Sequence, residues 1–374
     1  MNTDISDKED VTSSLNRKKF KIYYLKLILF GAILVATSLL VWHYTFGTGN
    51  RNLKSPLSEI VNLQFTPASS PSPSPYPFQE LTIPYLRQRV YKSRIGDLQK
   101  VSEHQNYKSY VTSYDSDGLR INGLLTMPQG ERPASGWPAI VFVHGYIPPQ
   151  NYQTTQNYVS YVDYIARNGF VVFKIDLRGH ADSEGEAGGG YYSSDYIIDT
   201  LNASAALASS DFVNPDKIGL WGHSMAGNVV FRSFAAKPEI PAVVIWAGAV
   251  YTYTDFQAYS IEDGSYQPPP ANSERARKRK ELFDTYGQFD PQSEFWKQVV
   301  PTNYLSDLKG AIQINHAVND NVVSIEYSRN LMRLLDATSV THELQEYSSG
   351  GHNLTGGSFT QAMQKTVEFF KTHL

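Results

Sequence analysis

The sequence predicts a doubly wound α/β domain, with a mostly parallel sheet and a cap insertion, carried behind one transmembrane helix. Three observations predict it. Short apolar runs alternate with amphipathic runs over the last two thirds of the chain, an apolar run of 20 residues lies near the start, and an excess of about 60 residues interrupts the alternation late in the sequence.

Taken in order, residues 1–21 read as a cytoplasmic tail and 22–46 as a signal anchor. Residues 27–46 are mostly apolar and, as a helix, span about 30 Å, one hydrocarbon thickness. Tyr23, Tyr24, Trp42 and Tyr44 fall at interface depth. Arg17, Lys18, Lys19, Lys21 and Lys26 precede the run, whereas only Arg51 and Lys54 follow closely, so the amino terminus is expected in the cytoplasm and the rest outside, at the cell membrane. A cleaved signal peptide is the competing reading, weakened by the lack of a small-X-small site before the run ends. Residues 47–80 contain the Pro/Ser alternation of 66–77, which forms neither a regular helix nor a central strand and reads as a stalk.

Residues 81–374 read as the catalytic domain. A hairpin over 107–127 comes first, then a strand over 138–143, a helix over 157–168, a strand over 169–174 and a helix over 194–208. The strand over 216–221 leads into Gly222-His223-Ser224-Met225-Ala226-Gly227, and a helix over 227–236 leaves it. A serine between small residues at a sharp strand-to-helix turn is a nucleophile elbow, because only small neighbours let helix and strand pass so closely. Strands over 242–246, 311–316 and 343–347 follow, with a helix over 324–335 and a last helix at the end. The excess between 246 and 311 is the cap, about 248–305, and its Tyr251, Tyr253, Phe256, Tyr259 and Tyr266 either line a pocket or pack the cap itself. Within it Arg275, Arg277, Lys278, Arg279 and Lys280 form a basic cluster, either a solvated helix face or a surface for acidic groups.

An activated serine needs a histidine base and a carboxylate to orient it, in the order Ser, Asp, His for a sheet of this kind. Asp320, just past the strand over 311–316, and His352, in the loop after the strand over 343–347, supply both. Asp255 and Asp263 are the alternative acids. Oxyanion donors are expected from the N–H of Met225, after the nucleophile, and of Tyr146, after the strand over 138–143, where Gly145 lets the backbone approach the substrate. His144 reads as a brace for that loop.

The segments HGY (144–146), DLRGHADSEG (176–185), GHSMAG (222–227), HAVND (316–320) and GGHN (350–353) resemble the α/β-hydrolase superfamily. With the hairpin at 117–125 they are similar, more narrowly, to the catalytic domain of prolyl oligopeptidase-type serine peptidases and to dienelactone hydrolase-like esterases. The resemblance covers roughly 105–374 and implies acyl transfer by Ser224, His352 and Asp320 on a small ester or short peptide. The β-propeller that usually precedes the peptidase domain has no counterpart long enough here, which favours a carboxylesterase-like activity over selective oligopeptide cleavage. An inactive hydrolase fold used as a binding module is the remote alternative.

Composition removes other classes. The 374 residues include no cysteine, which excludes disulfides and thiolate chemistry. The first 60 residues carry 8 Lys+Arg against 5 Asp+Glu, a balance of +3 in a chain of −3, which leaves −6 for the remainder and argues against nucleic acid. No cofactor is implied, and no His, Asp or Glu cluster has metal-ligand spacing.

Overall fold

The computed structural model describes residues 76–374, so the tail, the apolar run and most of the stalk lie outside the described residues. Among the described residues no helix is long and apolar enough to cross a membrane. In chain order the elements are α1 (Ile83–Gln88), β1 (Gln99–Glu103), β2 (Tyr107–Ser116), β3 (Leu119–Pro128), β4 (Trp137–Val143), α2 (Val159–Ala166), β5 (Val171–Ile175), α3 (Asp195–Ala208), β6 (Val213–His223), α4 (Ala226–Ala236) and β7 (Ala242–Trp246). Then come α5 (Tyr253–Tyr259), α6 (Glu274–Tyr286), α7 (Glu294–Val299), β8 (Ala311–Ala317), α8 (Glu326–Leu335), β9 (His342–Tyr347) and α9 (Gly357–His373).

The nine strands form one sheet in the order β1-β2-β3-β5-β4-β6-β7-β8-β9. The first three run antiparallel at one edge, and the last six are mutually parallel. Strands such as β7 (AVVIW) and β5 (VVFKI) are buried at every position, as expected of parallel strands covered on both faces. One face packs under α3, α4, α8 and the cap through Ile197, Val230, Phe234 and Leu331. The other packs under α2 and α9 through Ile165, Met363, Val367 and Phe370.

Two boundaries differ from the sequence reading. Residues 76–80, counted there with the stalk, already belong to the body: Tyr76 Oη donates to Gln298 and Tyr286 Oη to the Pro77 carbonyl. Leu81, Ile83 and Leu86 lie in the main core, capped by Thr82, whose Oγ1 accepts the Tyr85 N–H. β1 has no apolar alternation to announce it, because its burial is that of an exposed edge strand.

The segment between β7 and β8, read in the sequence as the cap, holds α5, α6, α7 and a 3-10 stretch, Pro301–Asp307. Its basic cluster is largely paired: Arg275 bridges to Asp195, Lys278 to Glu274 and Lys280 to Asp284, while Arg279 lies 4.8 Å over the Tyr192 ring. Tyr251 and Tyr253 are buried packing groups, against Phe231 and Tyr192.

Beneath the loops at the carboxyl end of the sheet, the DLRGHADSEG segment acts as bracing. Arg178 binds the buried Asp199, which also accepts from Ser116, and Asp176 accepts from Tyr152 at 2.8 Å and from Thr154.

Candidate active site

Ser224 sits between β6 and α4 in a left-handed conformation, φ 56°. Holding a non-glycine residue there costs about 1–3 kcal/mol, which the surrounding sheet must offset. The Ser224 N–H donates to the Trp246 carbonyl at 2.9 Å, tying the turn to β7. The small residues around it are sterically required. A Cβ on Gly222 would lie 2.8 Å from the Ala226 carbonyl oxygen, and one on Gly227 only 2.6 Å from the Gly248 Cα. The close approach past the serine therefore falls on Gly227 and not on the fifth motif position, which is why Ala226 stands there.

Asp320 follows β8 and is held by four donors. Its Oδ1 accepts the N–H groups of Val322 at 2.8 Å and Val323 at 3.0 Å. Its Oδ2 faces His316 Nε2 at 3.1 Å and His352 Nδ1 at 2.8 Å. Burial disfavours its charge, but the hydrogen bonds of His316 and His352 and the Val323 N–H hold its carboxyl well below the usual carboxylate range. His352 stands in the 3-10 turn Gly351–Asn353, entered through Gly350 at φ 117° and Gly351 at φ 59°. Its Nε2 lies 2.9 Å from Ser224 Oγ. The structure thus brings Ser224, His352 and Asp320 into one hydrogen-bonded line from three separate strand ends. Asp255 and Asp263 are elsewhere: Asp255 accepts from Asn330, and Asp263 from Ser265.

Among the described residues, the N–H groups of Tyr146 and Met225 donate to no other group. Met225 is packed by Gly190, where a Cβ would meet its Cγ at 2.6 Å. The Tyr146 hydroxyl accepts the Gln267 N–H at 2.8 Å, and the Glu262 N–H donates to the Val322 carbonyl at 2.9 Å. Residues 262–267 of the cap therefore bridge the loop of Tyr146 to the loop of Asp320. Gly145 is also required by its packed neighbours. A Cβ there would come within 2.8 Å of the Tyr158 hydroxyl and 3.0 Å of His223 Nδ1, so glycine makes room for these two side chains.

Three groups at the site carry no signal that the sequence reading used for function: His316, His223 and Tyr158. His316 lies within HAVND and His223 within GHSMAG, so both were visible but unassigned. His316 receives or gives a bond to Ser328 through Nδ1 at 2.7 Å while Nε2 faces Asp320, which fixes its ring.

Burial pushes the rings of His144 and His223 down to about 3 and that of His180 down to about 4. These histidines are neutral when folded but take up protons below about pH 6.5 when unfolded. Their stabilising contribution is therefore present above that pH and is lost as pH falls toward their folded values, at about 1.4 kcal/mol per pH unit each. Asp176 and Asp199, pushed up by burial, act in the opposite sense. Urea denaturation is expected to show a lower midpoint at pH 5.5 than at pH 7.5, and an equal or higher midpoint would overturn the reading of three neutral buried rings.

A sheet of this order, covered by helices on both faces and carrying a serine on its strand-to-helix turn, defines the class: it is the α/β-hydrolase fold, and the matches that follow support a serine hydrolase of that superfamily. Residues 137–266 match the family of S33 serine aminopeptidases. An uncharacterized peptidase of Bacillus subtilis, YtmA, is 22% identical over 255 residues, which are 67% of this chain and 88% of the relative. Among solved structures, an acetyl xylan esterase of a Thermoanaerobacterium species superposes with a TM-score of 0.53 at 19% identity, covering 77% of this chain and 90% of the esterase. The acylaminoacyl peptidase of Pyrococcus horikoshii gives 0.55 at 17% identity, covering 73% of this chain and 44% of the peptidase. At these identities the solved structures speak for the fold alone.

Proposed function

We propose that the protein is a membrane-anchored, carboxylesterase-like hydrolase acting on small esters through a Ser224-His352-Asp320 triad. The observation that carries the reading is the unbroken contact line, 2.9 Å from Ser224 Oγ to His352 Nε2 and 2.8 Å from His352 Nδ1 to Asp320 Oδ2. Ser224 Oγ attacks the ester carbonyl carbon as His352 Nε2 takes the hydroxyl proton, and the carbonyl electron pair moves onto the oxygen, which meets the N–H groups of Tyr146 and Met225. Collapse of the tetrahedral intermediate breaks the C–O bond, and His352 returns the proton to the leaving alcohol. Water then repeats the sequence on the acyl-enzyme, releasing the acid. Asp320 keeps the His352 proton on Nδ1 and offsets the charge of the imidazolium. The chemistry calls for no cofactor.

The bridge of cap residues 262–267 between the two loops favours small substrates, since an extended peptide needs an open groove for placement and an amide needs well-timed protonation of a poor leaving group. The second reading, a peptidase of prolyl oligopeptidase type acting on short peptides, draws support from the peptidase relative and from the S33 match. The anchor rests on the apolar run 27–46 and the cations before it, which also favour a cytoplasmic amino terminus and an extracytoplasmic catalytic domain.

One experiment tests both parts. Short-chain and aromatic esters, presented to intact cells as membrane-impermeant substrates beside proline-containing peptide amides, are expected to be hydrolysed without lysis, the esters faster. Amides cleaved at least as well as esters would replace the esterase reading by the peptidase one. Ester turnover appearing only after lysis would reverse the orientation.

A further inference from the structure

Beside the line of Ser224, His352 and Asp320 runs a second chain of hydrogen bonds that the acyl-transfer chemistry does not use. The Gly145 N–H donates to the Tyr158 hydroxyl at 3.0 Å, that hydroxyl lies 2.6 Å from His223 Nδ1, and His223 Nε2 lies 2.9 Å from the His352 carbonyl oxygen. It starts one residue before Tyr146, passes through the residue before Ser224, and ends on the backbone of His352.

The chain has one consistent direction. A backbone N–H can only donate and a carbonyl can only accept. His223 is 3% exposed, and burial together with the neighbouring His352 keeps its ring neutral, so it carries a single N–H. If that hydrogen were on Nδ1, Nε2 would present a lone pair to the His352 carbonyl. It is therefore on Nε2, which donates to His352, while Nδ1 accepts the Tyr158 hydroxyl hydrogen and the hydroxyl oxygen accepts from Gly145. Every donor in the run thereby meets an acceptor, with the Tyr158 hydroxyl accepting from Gly145 and donating to His223.

The fold invests in this arrangement. Tyr158 adopts φ 60°, a conformation uncommon for a large side chain, at the start of α2. Its ring is wedged among Phe142 at 5.5 Å, Trp221 at 6.2 Å and Tyr161 at 5.1 Å, so the hydroxyl has little freedom. Gly145 carries no side chain at the one place where a Cβ would push both the Tyr158 hydroxyl and His223 away.

We propose that Tyr158 and His223 are positioning residues that lock the loop bearing the Tyr146 N–H to the loop bearing His352, so that the oxyanion donors and the base keep their separation through acyl transfer. This rests on the triad reading above. A shift of about 1 Å between groups that must act together is enough to cost about a hundredfold in rate, without changing how tightly substrate is held.

The test measures the rate of Ser224 labelling by a fluorophosphonate, together with kcat and KM for p-nitrophenyl acetate and the melting temperature. Tyr158→Phe removes the hydroxyl and keeps the ring packing; it is expected to lower labelling and kcat by about ten- to a hundredfold with KM within about twofold of wild type. His223→Gln is expected to fall comparably, and the double variant no further than the worse single, because the two act through one chain. His223→Gln carries the test alone if Tyr158→Phe does not accumulate. Wild-type labelling and kcat in folded Tyr158→Phe or His223→Gln, or strictly additive losses in the double variant, would overturn the proposal. Wild-type protein that is not labelled at Ser224 would instead overturn the triad reading on which it stands.

Discussion

Ser224→Ala and His352→Ala are each expected to abolish ester turnover, a loss of about a millionfold in kcat, while leaving the fold intact. The magnitude follows from the way such a triad works as a unit: once the nucleophile or its base is missing, the remaining groups have no proton transfer to assist. Only the oxyanion donors and binding contacts would persist, which leaves a residue of catalysis about a thousandfold over water. Folding should survive because alanine at position 224 keeps the Cβ and the backbone N–H bond to Trp246 that hold the turn, and the His352 turn is fixed by its glycines and by the Gly351 N–H on Asn319, not by the ring. The measurement is kcat on the best ester of the panel beside a circular dichroism melt. Turnover within about tenfold of wild type in either variant would remove that residue from the mechanism.

Asp320→Asn is expected to lower turnover by about ten thousandfold. The surroundings of the carboxylate explain why the loss should be so large for an isosteric change. Oδ1 accepts from two backbone N–H groups and Oδ2 faces two histidine nitrogens, so all four neighbours want an acceptor. An amide nitrogen at either position meets donors. Turned toward the backbone it leaves two N–H groups unpaired; turned toward His352 it drives the imidazole into the tautomer that places its proton on Nε2, against Ser224 Oγ. Asp255→Asn and Asp263→Asn make the control, since neither carboxylate touches His352 in the structure. An active Asp320→Asn beside an inactive Asp255→Asn or Asp263→Asn would transfer the acid role.

Much of this arrangement was legible before any coordinate. The elbow announces itself because a left-handed serine between a strand and a helix tolerates only small neighbours, and small neighbours can be counted in a sequence. Asp320 and His352 were readable from their order and from the strand ends they follow. The insertion between β7 and β8 was readable as a length, because an ordinary connection does not need so many residues. Its role as a bridge was not. That depends on the Gln267 N–H finding the Tyr146 hydroxyl, a contact across 121 residues that no local pattern encodes.

What the sequence determined by itself is the set of local solutions: which runs are buried strands, which turn needs glycine, which residue types can perform acyl transfer. The tertiary structure decided what depends on approach between distant segments. It placed β5 between β3 and β4, moved the packing need at the elbow onto Gly227, drew residues 76–80 onto the body, and joined Gly145, Tyr158, His223 and His352 in one directed chain. The physical reason is that periodicity and turn chemistry are written within a few residues, whereas hydrogen-bond direction and steric contact between loops exist only once the sheet has fixed where each strand ends.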